Sequence, residues 1–215
     1  MAEKYTQTTL SPYQLLPRCH EGNRPIFALV GGGTLYAGGW LRGAWPYGQD
    51  ATIDLTGKEN PSPVKIEAKS GESAWRNALG NTKDKDIECG PWLSLPIQDL
   101  SVPDLDAGFW HCLKLDVGQI LLSGTDLLIA CDGGHGRTGL AVSILAYLFK
   151  ATHGCPITWL RNCYCDQAVE SEEQVYYVYE MLGLGEPPEE IMPPGFGAWY
   201  YEGDHLVHKG GYRDY

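Results

Sequence analysis

One run, Cys131-Asp132-Gly133-Gly134-His135-Gly136-Arg137-Thr138-Gly139, limits what this chain can fold into more than any other. The apolar residues before it, 126–130, read as a short buried strand, and those after it, 140–150, read as an apolar helix. A strand must therefore hand over to a helix through a loop in which three glycines separate Cys131 from Arg137. Glycine lets the backbone turn so that successive N–H groups converge, and the following helix adds the positive end of its dipole. Such a loop is an anion cradle. The field that would hold a phosphate there also favours a cysteine as its thiolate, and the planar fork of Arg137 matches two phosphate oxygens. The plainer reading is a glycine loop joining strand to helix, with Cys131 a buried thiol. A Walker-type nucleotide loop fits less well, because no Gly-Lys-[Ser/Thr] follows the glycines.

At 215 residues the chain fits one domain with tails. Hydrophobic residues at 43% and charged residues at 20% mark it as globular rather than disordered. A net charge of −11 argues against nucleic acid or an anionic membrane surface as the main partner. It leaves room for a phosphate site, since loop geometry can make one pocket positive on an acidic surface. No apolar run reaches the length of a membrane span, and the N-terminus lacks a basic-then-apolar signal pattern. Seven cysteines make an odd count, and a thiolate nucleophile needs reducing surroundings, so a cytoplasmic, monomeric protein with free thiols is expected. His153, Cys155, Cys163 and Cys165 lack the usual C-x2-C spacing of a metal site and read as core thiols around one histidine.

Residues 1–24 are polar and read as a leader. Residues 25–30 and 34–40, on either side of Gly31-Gly32-Gly33, read as a hairpin. Residues 51–55 are apolar enough for a central parallel strand, and 92–97 return to strand character. The stretch 60–90 between them is polar and resists assignment, with a helical turn expected at 73–79. In 103–123, Leu105, Phe109, Cys112, Leu113, Val117, Ile120 and Leu121 recur at helical spacing. Further helices are expected over 138–150, 157–165 and 172–182. Strands alternating with helices predict an α/β sandwich around a central, mostly parallel sheet flanked by helices. From 185 to 215 the texture turns to Gly, Pro and aromatics and reads as a tail, leaving 25–184 as the domain.

The Cys131 run resembles the signature of the cysteine-dependent protein tyrosine phosphatases, Cys-x5-Arg followed by Ser or Thr. The resemblance implies that Cys131 is the nucleophile, Arg137 the phosphate clamp and Thr138 the hydroxyl that assists the departing thiolate. Backbone N–H groups of Asp132, Gly133, Gly134, His135, Gly136 and Arg137 would bind the phosphate. Two positions depart from the family pattern: Ala130 stands where it usually has His, and Asp132 places a negative charge beside the nucleophile.

Upstream, Leu95-Pro96-Ile97-Gln98-Asp99-Leu100-Ser101-Val102-Pro103-Asp104 resembles the acid loop of dual-specificity phosphatases, most closely the kinase-associated branch. That match implies Asp99 as general acid, and as the group that then takes a proton from water when the cysteinyl phosphate is hydrolysed, with Asp104 and Asp106 as alternative acids. Asp104, after Pro103, reads as the N-cap of the next helix. Asp54, at a strand end, reads as a structural hydrogen-bonding group. Downstream, 166–174 resembles the segment leading into the helix near the active site, and Gln174 matches its recurring Gln, implied to place the hydrolytic water. Ser171 and Gln174 also read as a capping box, which would spend Gln174 on the helix start.

These expectations converge on a phosphatase with a dual-specificity-like fold, acting on phosphotyrosine, with phosphoserine or phosphothreonine left open as further substrates, and with no metal or organic cofactor. Its partner is then a phosphorylated protein or a small phosphate ester such as an inositol phosphate. A phosphoprotein-binding pseudophosphatase, and a sulfur-transfer or arsenate-reducing protein, are the rivals.

Overall fold

A computed structural model describes residues 22–44, 51–57, 65–67, 92–193, 199–202 and 205–208. Most of the expected leader and the helical turn expected at 73–79 lie outside the described residues. Eight strands, β1 (Arg24–Ala28), β2 (Thr34–Gly39), β3 (Ala51–Asp54), β4 (Lys65–Glu67), β5 (Trp92–Ser94), β6 (Leu127–Cys131), β7 (Trp199–Glu202) and β8 (His205–His208), occur among them. Four helices accompany them: α1 (Ala107–Leu122), α2 (Gly136–Leu148), α3 (Pro156–Cys163) and α4 (Glu172–Leu182).

The main sheet has six strands in the order β1-β2-β6-β3-β5-β4, while β7 and β8 form a separate antiparallel pair. Only β1 with β2 is antiparallel in the main sheet; β2 with β6, β6 with β3, β3 with β5 and β5 with β4 are all parallel. The α/β architecture around a mostly parallel sheet is therefore as the sequence predicts. β6 lies third in the order and all five of its residues are buried. That burial explains its unbroken apolar run, since a strand flanked by parallel neighbours and covered by helices has no wet face to signal.

The other three helices gather around α2, which touches α1, α3, α4, β6 and β2. In α1, Trp110, Leu113, Val117, Ile120 and Leu121 are buried at three- and four-residue spacing and join Leu127, Ile129, Ile144, Leu145 and Val178 in one core. Each such side chain contributes about 1.5–3 kcal/mol by leaving water. Ile191 is also buried in this core, and its carbonyl accepts from Arg161 Nη1 at 2.6 Å.

Several element limits differ from expectation. β4 forms an edge strand inside the unassigned stretch 60–90. β5 stops at Ser94 instead of 97, although Leu95 and Ile97 still donate to the carbonyls of Asp54 and Leu55 at 2.8 and 3.0 Å. α1 starts at Ala107, capped not by Asp104 but by Asp106, whose Oδ1 accepts from Phe109 N–H at 2.8 Å. Tyr177 OH donates to the Leu105 carbonyl at 2.7 Å, which holds that residue outside the helix. α2 begins two residues before the expected start, so Gly136 and Arg137 are already helical. Among the grouped cysteines, Cys165 is buried but Cys163 is exposed on α3 and is no core thiol.

Candidate active site

The parallel pairing of β2, β6 and β3 brings their C-terminal ends to one edge of the sheet. In register, Gly39 sits opposite Cys131 and Asp54 opposite Ala130. The loop leaves β6 at this edge and is braced from every side. Leu41 N–H donates to the Asp132 carbonyl at 3.0 Å, and Tyr164 OH donates to the Gly134 carbonyl at 2.7 Å. Gly39 lies so close that a Cβ there would stand 2.5 Å from the Gly133 carbonyl carbon and 2.7 Å from Gly134 N. His135 Nδ1 meets Cys165 Sγ at 3.2 Å, and the His135 carbonyl accepts from Val169 N–H at 3.3 Å. Gly134 takes φ +81°, a turn open to glycine. Its N–H then points inward and donates to Cys131 Sγ at 3.1 Å. Cys131 is 2% exposed, and its sulfur is held as the acceptor of a backbone N–H.

Arg137 is 6% exposed, and its buried guanidinium is only partly engaged. Nη1 donates to the Ile97 carbonyl at 3.3 Å. Nη2 pairs with Asp99 Oδ1 at 2.9 Å and with Asp132 Oδ2 at 3.4 Å. Nε is buried and has no partner among the described residues. A buried donor left without an acceptor costs about 1–3 kcal/mol, and at the first turn of a helix beside a glycine loop it suits an oxyanion. Asp132, half-buried, faces this arginine rather than bulk water.

Asp99 is thus brought onto the arginine of the loop, on a side chain 73% exposed. Asp104 and Asp106 are not: Asp106 is spent on the α1 cap. Thr138 is buried, and its Oγ1 donates to the Gly38 carbonyl at 3.2 Å, towards β2. Gln174 is also fully buried and forms the expected capping box with Ser171. Its Oε1 accepts from Glu170 N–H and Ser171 N–H at 3.0 and 3.4 Å, and its Nε2 donates to the Ser101 carbonyl at 3.2 Å. The amide therefore ties α4 to the segment that carries Asp99. Asp54 is buried and accepts from Trp40 Nε1 at 3.0 Å and from Thr56 N–H and Oγ1 at 3.1 and 2.8 Å, the structural role its position predicted. No group of three or more His, Cys, Asp or Glu among the described residues is arranged to hold a metal ion, and no described helix is long and apolar enough to cross a membrane.

Sequence reasoning passed over Gly39, Tyr164 and Glu170. The Gly38-Gly39 pair at a strand end was a usable signal, since glycine in a strand marks a close backbone approach. Tyr164 carried none. Glu170 reaches the loop from the segment before α4, against Gly136: a Cβ on Gly136 would lie 2.5 Å from Glu170 Oε2. Burial pushes the Glu170 carboxyl above its ordinary range, and the neighbouring charge of Asp99 adds to the push. His135, the Gly136 N–H and Arg137 pull the other way without cancelling it.

No family model matches the chain. It is 39% identical over 97 residues to an uncharacterized protein of Methanocaldococcus jannaschii, a match covering 43% of this chain and 60% of that one. A second uncharacterized protein of the same organism is 36% identical over 99 residues, covering 44% and 57%. The chain thus spans less than two thirds of the length of these curated relatives. Among solved structures it is similar to Tk-PTP in the active form, with 18% identity and a TM-score of 0.46 over 71% of this chain and 92% of that one. Kinase associated phosphatase, with its catalytic site cysteine substituted by serine, gives 18% identity and 0.44 over 70% and 85%. The human tyrosine phosphatase-like serine/threonine/tyrosine-interacting protein gives 13% and 0.47 over 77% and 98%.

Proposed function

We propose that the chain is a cysteine-dependent phosphatase of the dual-specificity kind, hydrolysing phosphotyrosine, and phosphoserine or phosphothreonine in addition, through a cysteinyl-phosphate intermediate. The thiolate of Cys131 attacks phosphorus in line with the leaving oxygen. Loop N–H groups and the Arg137 guanidinium hold the equatorial oxygens, strengthening as charge develops on them. Asp99 gives a proton to the leaving oxygen, so that an alcohol or phenol departs rather than its anion. Water then attacks the phosphocysteine while the Asp99 carboxylate takes its proton, the P–S bond breaks, and inorganic phosphate leaves with the thiolate restored. For Asp99 to donate, it must exchange its pairing with Arg137 for the substrate, whose oxygens take over the guanidinium.

The observation that carries this reading is the pairing, within one glycine loop, of a sulfur receiving the Gly134 N–H with a buried Arg137 whose Nε has no partner among the described residues. The only basic side chain in the loop besides His135 is that arginine, which favours a single phosphate monoester over a polyphosphate. The test is turnover of an aryl phosphate with inhibition by vanadate, repeated on Cys131→Ser. The variant should bind phosphate esters without hydrolysing them, because an alcohol is a poor nucleophile at neutral pH. Hydrolysis retained by Cys131→Ser overturns the mechanism, and binding without turnover in the unaltered chain favours a phosphoprotein-binding role.

A further inference from the structure

We infer that Asp132 is a specificity-determining residue of this site, a fixed negative charge that selects esters carrying one phosphate and no second anionic group beside it; the inference rests on the phosphatase reading above and narrows its substrate class. Asp132 directly follows Cys131, and its Oδ2 lies 3.4 Å from Arg137 Nη2. The same nitrogen pairs with Asp99 Oδ1 at 2.9 Å. Two carboxylates therefore meet on one end of the fork that an oxyanion would use.

The two carboxylates are held differently. Asp99 stands on a separate segment with its side chain 73% exposed, and it can give up the arginine when a substrate arrives. Asp132 cannot follow it. It belongs to the loop itself, and its carbonyl accepts from Leu41 N–H at 3.0 Å. Leu41 lies in the turn that follows β2. Gly39, at the end of that strand, sits in register with Cys131 and presses on Gly133 and Gly134 so closely that a Cβ would not fit. β2 thus braces the backbone under Asp132, whose side chain is 30% exposed beside Arg137. Its charge stays at the mouth of the loop through both steps of the reaction.

His135, the other basic side chain of the loop, is packed into the interior, 7% exposed, with Nδ1 at 3.2 Å from Cys165 Sγ. Once a phosphate occupies the Arg137 fork, the charges that the loop and the Asp99 segment present at the mouth are both carboxylates. The phosphate itself meets directed donors at contact distance, the loop N–H groups and the guanidinium, which outweigh Asp132. A second anionic group beside it meets the like charge of Asp132 instead. A site that discriminates in this way does so by repelling the wrong ligand rather than by gripping the right one harder.

The test uses two para-nitrophenyl phosphates, one with a carboxamide and one with a carboxylate ortho to the phosphate, matched in size and different in charge. Each is assayed on the full chain and on Asp132→Asn, Asp132→Ser and Asp132→Glu. The unaltered chain should favour the carboxamide, and the preference should fade as salt is raised to about 1 M, where screening acts within about 3 Å. Asparagine keeps the shape of Asp132 and an oxygen that can accept from Arg137. Asp132→Asn should nevertheless shrink the preference, read as a ratio of kcat/KM values, by at least about threefold, with the change in KM. Asp132→Ser should shrink it as well, and Asp132→Glu should keep it. A residue that only orients Arg137 would slow both esters alike, and that result in Asp132→Asn overturns the inference. So does an unchanged preference in the Asn and Ser variants, a lost preference in the Glu variant, or equal kcat/KM for the two esters in the unaltered chain. An unaltered chain that turns over neither ester overturns the phosphatase reading, and the inference with it.

Discussion

Replacing Gly39 by alanine should damage catalysis more than stability. Gly39 belongs to β2, not to the loop, and sits in register with Cys131. A Cβ there would lie 2.5, 2.6 and 2.7 Å from the Gly133 carbonyl carbon, the Gly133 oxygen and Gly134 N. All three are backbone atoms, so no side chain can swing aside. Relieving the contact means moving strand or loop by about 1 Å in a close-packed interior. The loop is the softer partner, and its displacement breaks the 3.1 Å approach of Gly134 N–H to Cys131 Sγ. Overpacking of this size costs about 1–3 kcal/mol of stability, and a 1 Å misplacement of reacting groups costs about 100-fold in rate. The assay is kcat/KM on an aryl phosphate beside the urea midpoint of the same preparation. Gly118→Ala is the control, because its new methyl would meet only the Phe149 ring at 3.6 Å, ordinary contact. Within a helix it should gain about 0.5–1 kcal/mol and keep full activity. If Gly39→Ala keeps kcat/KM within about threefold of the unaltered chain, the loop is not braced by β2 and the reasoning fails.

Asp99→Asn should slow substrates with poor leaving groups far more than activated aryl phosphates; a linear free-energy plot against leaving-group acidity should steepen, and equal losses on all substrates would remove Asp99 from the role. Arg137→Lys should lower kcat/KM by more than about tenfold, roughly 1.4 kcal/mol, since an ammonium cannot reproduce the fork that serves Ile97, Asp99 and an oxyanion together; a smaller loss contradicts a clamp. Tyr164→Phe removes the 2.7 Å bond to the Gly134 carbonyl and leaves that carbonyl buried without its donor, so urea denaturation should show a loss of about 1–3 kcal/mol. An unchanged midpoint would mean the carbonyl finds another partner.

The local parts of this structure were readable in advance, and the reason is their short range. β6, the loop and α2 follow one another within a single stretch, so an apolar run, three glycines and a second apolar run specify them. Ser171 and Gln174 form their capping box because both halves lie within one helical turn. What escaped the sequence is set by distant contacts. Asp104 reads as the cap until Tyr177, 72 residues beyond Leu105, takes the Leu105 carbonyl and α1 begins later, capped by Asp106. β4, three residues long at the sheet edge, carries too few positions to show a period. Glu170 looks like one acid in a run of them, Glu170-Ser171-Glu172-Glu173, until the strained turn at Val169 aims it at Gly136. The acid loop and the Cys131 loop, by contrast, were legible one at a time from their motifs, while the 2.9 Å pairing between Asp99 and Arg137 was not.

Because β6 is flanked by β2 on one side and β3 on the other, this site has a place in time as well as in space. Thr34 N–H is held by Asp126, 92 residues later, and Thr138 reaches back 100 residues to the Gly38 carbonyl. Loops of that length must close before either bond forms, and such pairings come slowly in folding. During synthesis β1, β2 and β3 leave the ribosome first and wait with unpaired edges until β6 arrives to fill the gap between β2 and β3. The cradle around Cys131 is complete only once that central strand is seated. Recovery of activity after dilution from denaturant should therefore follow the slowest phase of refolding, making turnover a clock for closure of the whole sheet.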